Sequence, residues 1–182
     1  MSGERLAKAA VAAAAVAAVA RKASAVETSA LDVMVQKISS DNDDVRGEAW
    51  QEAWRYGPPA VDPLAELMTH DDYQIARAAK RGLWKLVRHS GRPGAELEAK
   101  RTIERLLPLV AEGKPYIVRR EAAWMLSEVA GDEAVDPVAA MLGDKDLRED
   151  ARMVLQRLPG EKSLNALKTA LKEVSEDFKI NV

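Results

Sequence analysis

The chain predicts an all-α solenoid of about four stacked helix pairs with a capping helix, and three observations carry that expectation. The first is a phrase written twice: Ala60-Val61-Asp62-Pro63-Leu64-Ala65-Glu66-Leu67-Met68 returns as Ala134-Val135-Asp136-Pro137-Val138-Ala139-Ala140-Met141-Leu142. The second is a shorter phrase that begins at Val45, Ile75, Val118 and Leu147. Its spacings of 30, 43 and 29 residues approximate one helix pair with its turns, the period of a repeat array. The third is composition: one Phe and three Tyr in 182 residues leave a core of Ala, Leu and Val. Small side chains let helices approach closely and suit stacked helix pairs better than a sheet.

Taken in order, Leu31 to Ile38 reads as the first helix of pair one, and Ser39 to Asp44 is a turn dense in N-cap residues. The second helix runs from Val45 to about Tyr56, where Gly57-Pro58-Pro59 stops it. Pro63 suits the first turn of the next helix, which ends near Met68. Thr69-His70-Asp71-Asp72 then caps a long helix over Tyr73 to Arg88. Ser90 to Gly94 is the clearest break, and the extra length of the 43-residue interval belongs after it. It is either one longer helix over Ala95 to Ala111 or a short additional helix followed by one, with Pro108 kinking or dividing the segment. Tyr116 to Val129, Ala134 to Met141 and Leu147 to Leu158 complete the pairs. Leu164 to Val174 forms the cap, with Leu164, Leu167, Leu171 and Val174 on its apolar face and fraying expected after Phe178.

The second helices share one apolar stripe. Val45, Ala49, Ala53 and Tyr56 match Ile75, Ala79, Leu83 and Leu86, and again Val118, Ala122, Leu126 and Val129, all at i, i+4, i+8 and i+11. A helix patterned in this way cannot bury its face alone, so neighbouring pairs must stack.

These phrases, with Asp44-Val45-Arg46, Ile117-Val118-Arg119-Arg120-Glu121-Ala122, Gly131-Asp132-Glu133-Ala134 and Gly143-Asp144-Lys145-Asp146-Leu147-Arg148, resemble HEAT repeats, in particular the short phycobilisome-lyase type. The resemblance covers about residues 30 to 174 and implies a right-handed α–α superhelix, armadillo-like in outline, whose second helices line the concave side. It also implies ladders pairing an interhelical Asp with the Arg early in the second helix: Asp44 or Asp43 with Arg46, and Asp144 or Asp146 with Arg148. Repeat two departs from this pattern, because Ala76 follows Ile75 and the Arg comes one residue later as Arg77. Pair three has no acid just before Val118. The regular spacing of Arg46, Arg119 and Arg148 itself argues for structural use, since a planar guanidinium bridges carboxylates and carbonyls of neighbouring turns.

Residues 26–182 form the expected repeat domain, preceded by an Ala-rich segment over 1–25. Its run Ala9 to Ala20 holds only Ala and Val, and Ala23-Ser24-Ala25 resembles a signal-peptidase site. The segment reads as an exposed or loosely docked helix, a secretory signal, or a disordered tail. The run is too short to span a membrane. The expected location is cytoplasmic, or secreted or periplasmic if residues 1–25 act as a signal.

A net charge of -2 hides segregation: residues 26 to 71 carry ten acids against three bases, residues 72 to 125 twelve bases against six acids, and residues 128 to 182 twelve acids against eight bases. The basic middle centres on the Tyr73 to Arg88 helix. On a helical wheel its core residues lie on one side, while Arg77, Arg81, Lys85 and Arg88 cluster opposite, beside Trp84 and Lys80. Trp54 occupies the register of Trp84 one repeat earlier. The two indoles either stand side by side in a binding groove with these cations or pack between adjacent second helices. Trp50 and Trp124 are less regular and read as packing residues.

Chemistry is thinly represented. Cysteine is absent, which excludes disulfides, thiolate nucleophiles and cysteine-rich zinc sites. His70 and His89 are not spaced as a metal pair, and neither a glycine-rich phosphate loop nor a nucleophile elbow occurs. No catalytic residue, cofactor or metal is therefore expected. The leading reading is a non-enzymatic scaffold or protein-interaction module that takes a protein or peptide on its concave face. The alternatives are nucleic-acid binding through the basic aromatic groove and an assembly subunit stacking end to end.

Overall fold

In the computed structural model, residue 22 and residues 30–173 are described, and every regular element among them is helical. Helix α1 covers residues 30–38. It is followed by α2 (Asp43–Glu52), α3 (Val61–Leu67), α4 (Tyr73–Ser90), α5 (Glu96–Leu106), α6 (Tyr116–Val129), α7 (Val135–Ala139), α8 (Arg148–Arg157) and α9 (Glu161–Glu173). Short 3₁₀ turns extend several of them, at Ala53–Tyr56, Leu107–Val110 and Ala140–Gly143. The expectations for residues 1–21, 23–29 and 174–182, including the Ala-rich segment, Val174 and Phe178, lie outside the described residues.

Local chemistry sets the helix starts. Asn42 Oδ1 accepts the N–H groups of Asp44 (2.9 Å) and Val45 (3.2 Å), and Asp72 Oδ1 accepts those of Gln74 (2.7 Å) and Ile75 (3.3 Å). Each cap satisfies donors that have no partner within the helix. Pro108 divides the segment in which it falls: α5 ends at Leu106 and the chain tightens into the 3₁₀ turn Leu107–Val110.

The helices stack next to next. α4 packs on α2 and α6, and α6 packs on α8, so the second helices form one row. The first helices α3, α5, α7 and α9 and their 3₁₀ extensions form the other. Between the rows lies a continuous core containing Ala53, Leu64, Leu83, Leu86, Leu106, Leu126, Met141 and Leu155. This is the layered arrangement of a HEAT-like solenoid, and it follows from the apolar stripe: Ala79, Leu83 and Leu86 are fully buried, as are Ala122 and Leu126.

Three local expectations are corrected. The second helix of pair one does not stay α-helical to Tyr56, because Glu52 ends it and Ala53–Tyr56 winds as 3₁₀. The cause is the stop signal itself: Gly57 adopts φ +62° before Pro58, and the proline excludes the helical conformation from the residue before it. Val45, the first position of that stripe, is exposed, and its neighbour Arg46 is buried instead. In the cap, α9 begins at Glu161, three residues earlier than expected, and buries Ser163, Leu167 and Ala170. Leu164 and Leu171 stand at 49% and 39% exposure, so the buried stripe is rotated from the apolar positions expected. Ser163 joins it because its hydroxyl lies 3.0 Å from the carbonyls of Leu158 and Gly160, which satisfies a buried polar group.

Two glycines permit close approach in α4 and at its end. A Cβ at Gly82 would stand 3.1 Å from Ala53 Cβ, and one at Gly91 would stand 2.8 Å from Val129 Cγ1. Gly91→Ala is therefore expected to lower stability by about 1–3 kcal/mol in urea denaturation. Val129→Ala in the same chain should recover part of that loss. Leu86→Ala, at a fully buried position, should cost about 2–5 kcal/mol.

Candidate functional site

The row of second helices carries a set of half-buried tryptophans in three kinds of engagement. Trp84 on α4 donates its indole N–H to Glu121 Oε2 on α6 at 2.8 Å, and Arg88 lies over its ring at 4.9 Å. Trp124 on α6 donates in the same way to Asp150 Oδ1 on α8 at 2.6 Å, with Arg157 over its ring. Each indole thus passes its N–H to an acid on the next helix, three residues beyond Val118 or Leu147 in the repeated phrase. Other cations complete the set: Lys80 reaches Glu121 at 3.6 Å, Arg120 lies between Glu121 (3.5 Å) and Asp150 (3.1 Å), and Arg157 pairs with Glu128 at 2.8 Å. Glu121 is only 6% exposed, and its partners offset the cost of placing a carboxylate there.

The α2–α4 junction is built differently. The place held by Glu121 and Asp150 in their phrases is Ala78 in α4, so Trp50 on α2 meets no acid there. Instead Arg81 and Lys85 of α4 lie over its ring at 5.4 and 5.8 Å, a cation–π arrangement. Beside it a cavity of about 240 Å³ is lined by Trp50, Gln74, Arg77 and Arg81, with Arg46 and Asp43 on the α2 side. Arg46 is engaged within its own repeat, bonded to Asp43 and donating to the Ser40 carbonyl at 2.5 Å. Arg77, Arg81 and Lys85 are exposed and have no carboxylate partner among the described residues.

Trp54 does not stand beside Trp84. Its ring packs on His89 with centroids 4.2 Å apart and planes tilted by 34°, and Arg55 lies over it at 5.5 Å. The physical reason is the 3₁₀ ending of the first repeat, which turns about 120° per residue against about 100° in an α-helix. Over the two residues to Trp54 that change adds about 40° of rotation and shifts it from the register shared with Trp84. The aromatic that meets Arg81 and Lys85 is Trp50, whose irregular spacing reads as packing, while Trp84 meets Arg88. The available signal was negative: Ala78 occupies the site where the later repeats place an acid.

Of the ladder residues, Arg119 reaches forward to the following repeat. Its guanidinium donates to Asp144 Oδ2 at 2.6 Å and to the Val110 carbonyl at 3.3 Å. Asp144 also accepts the Asp146 N–H at 3.1 Å and bonds through its carbonyl to the Arg148 N–H at 2.8 Å. The Arg119 hydrogen bond, followed by that from Asp146, holds the Asp144 carboxyl below its ordinary value of 3.8. His70 is placed by its turn, its Nδ1 accepting the Asp72 N–H at 2.9 Å. Among the described residues no three His, Asp or Glu side chains gather as a metal-holding group. No helix among them is long and apolar enough to cross a membrane.

No family model matches the chain, and no curated protein matches it. Solved structures similar to it include a designed armadillo repeat protein, YIII(Dq.V1)4CPAF, in complex with peptide (KR)4, at 17% identity over 86% of this chain and 80% of that one (TM-score 0.43). Two engineered proteins are also similar, one at 19% identity over 86% and 76% (TM-score 0.42) and one at 20% over 77% and 69% (TM-score 0.44).

Two outcomes test the site's construction. Glu121→Ala leaves the Trp84 N–H without its acceptor and should destabilise by about 1–3 kcal/mol in urea. Glu121→Gln keeps an acceptor and should cost less, with Trp84 fluorescence reporting the difference. Because the Asp144 carboxyl is depressed in the folded state, its stabilisation is complete above 3.8 and is lost as pH falls through the lower folded value. Acid unfolding of Asp144→Asn should therefore show a shallower loss of stability below pH 3.8 than the parent chain.

Proposed function

We propose that this protein is a non-enzymatic interaction module that takes a segment of another protein on the α2–α4–α6–α8 face, at the end where α2 meets α4. The supporting observation is the unequal satisfaction of charge along that face. From α4 to α8 its cations, acids and indoles bind one another, whereas Arg77, Arg81 and Lys85 are presented to solvent without acidic partners among the described residues. Stacked repeats present such extended surfaces, and complementary charge on them gives orientation and specificity. The HEAT resemblance implies that this is the concave side.

The nucleic-acid alternative has less support. Lys80 and the Trp84 N–H are engaged by Glu121, and Asp150 carries further negative charge on the same face. The field is mixed in sign, unlike the continuous basic track that follows a phosphate backbone.

Site-specific photo-crosslinking in the native cell tests this reading. A photoreactive residue at position 81 is expected to yield adducts that proteinase removes and nuclease leaves intact. The same probe at position 100, on α5 in the other row, is expected to yield far fewer. Nuclease-sensitive adducts at position 81, or equal protein adducts at both positions, are the results that count against the proposal.

A further inference from the structure

We infer that the α2–α4 end of this face recognises an acidic peptide in extended form, with one carboxylate seated between Arg77 and Arg81 beside Trp50. This rests on the preceding reading that the face takes a protein segment, and adds the chemistry of that segment.

The charge at the cavity sets the sign of its occupant. Asp43 is the acid on its wall, and Arg46 already engages it, which leaves Arg77 and Arg81 as guanidinium groups without a carboxylate partner among the described residues. Arg81 is held over the Trp50 ring, so its planar fork is partly ordered before a ligand arrives, and a carboxylate is the group that such a fork receives in two parallel hydrogen bonds. Gln74 lines the same cavity and adds an amide donor. A cavity of about 240 Å³ accommodates an acidic side chain with water.

The aromatic surfaces argue against a nucleobase as the occupant. A base needs an open ring face on which to stack. Arg81 and Lys85 lie over the Trp50 ring and Arg88 over that of Trp84, so a stacking base competes with these cations for ring surface.

Spacing gives the peptide its pattern. Arg77, Arg81, Lys85 and Arg88 follow one another at four- and three-residue steps along α4, with about 6 Å for each four-residue step. In an extended chain the side chains on one side recur about every 6.6–6.8 Å. Acids at alternate positions therefore meet successive cations, and the long Arg and Lys stems absorb the small mismatch.

The test uses the full chain and a fluorescein-labelled peptide of alternating Glu and Ala with four Glu residues, measured by fluorescence anisotropy. Its Lys-Ala counterpart and an oligouridylate of equal negative charge serve as comparison probes. The Glu peptide is expected to bind, with affinity falling as salt rises, and the Lys peptide is expected not to bind. The double variant Arg77→Ala/Arg81→Ala should weaken binding by about tenfold or more. The charge-matched variant Lys100→Ala/Arg101→Ala on α5 should change it by less than about twofold. Circular dichroism and thermal midpoints establish that both variants fold like the parent.

The inference is overturned if the Glu peptide does not bind, if both double variants weaken it equally, or if the oligouridylate binds more tightly with the same dependence on Arg77 and Arg81. Protein adducts at position 81 without Glu-peptide binding defeat this inference alone. Failure to form protein adducts there defeats the broader reading.

Discussion

The structure depends on one constraint: no helix pair can bury its apolar stripe by itself. α4 is where that constraint is most visible. It is wedged between α2 and α6 along one row and also packs on α3 and α5 of the other, burying Ala79, Leu83, Leu86 and Val87 completely. Gly82 brings it close to Ala53, which draws the first repeat and the second together. Burial of this kind is non-directional, yet the repeated register of the stripes makes each helix meet its sequence neighbour.

Alignment of the stripes places the polar faces in register as well. The acid three residues into the phrase on α6 or α8 meets an indole of the helix before it, nine residues into the phrase on α4 and six on α6. Trp84 with Glu121 and Trp124 with Asp150 are two rungs of that pattern. Arg119 with Asp144 adds another link between successive pairs at the edge of the stack. These contacts tie neighbouring repeats together and neutralise much of the α4–α8 surface. The substitution of one small residue, Ala78, breaks the pattern between α2 and α4. The cations there stack on Trp50 and face solvent, and the proposed recognition of an acidic peptide grows from that interruption in an otherwise satisfied lattice.

Much of the architecture was legible in residues that act locally. Asn42 and Asp72 cap their helices wherever the rest of the chain lies, Pro108 divides its segment through the hydrogen it lacks, and the i, i+4, i+8 stripe reports burial without naming a neighbour. The site was less legible. Arg77, Arg81 and Lys85 were found from the helical wheel because their shared face is a property of α4 alone. Of the aromatics expected beside them, Trp84 lies under Arg88 and Trp54 packs on His89, while Trp50, one turn before Trp54, lies under Arg81 and Lys85, a choice that depends on how α2 and α4 meet. Glu121 was read as part of a repeated phrase and not as the acceptor of Trp84, a contact between residues 37 positions apart.

The sequence alone determined that this protein is a stack of helix pairs, where its turns fall and which face of each helix is apolar, because caps, prolines and periodicity act within a few residues. Tertiary structure decided which tryptophan meets which charge and which cations lack a carboxylate partner among the described residues. Those outcomes depend on the phase and distance between separate helices, and a local change such as the tightening of Ala53–Tyr56 into a 3₁₀ turn redirects Trp54 relative to the helix before it.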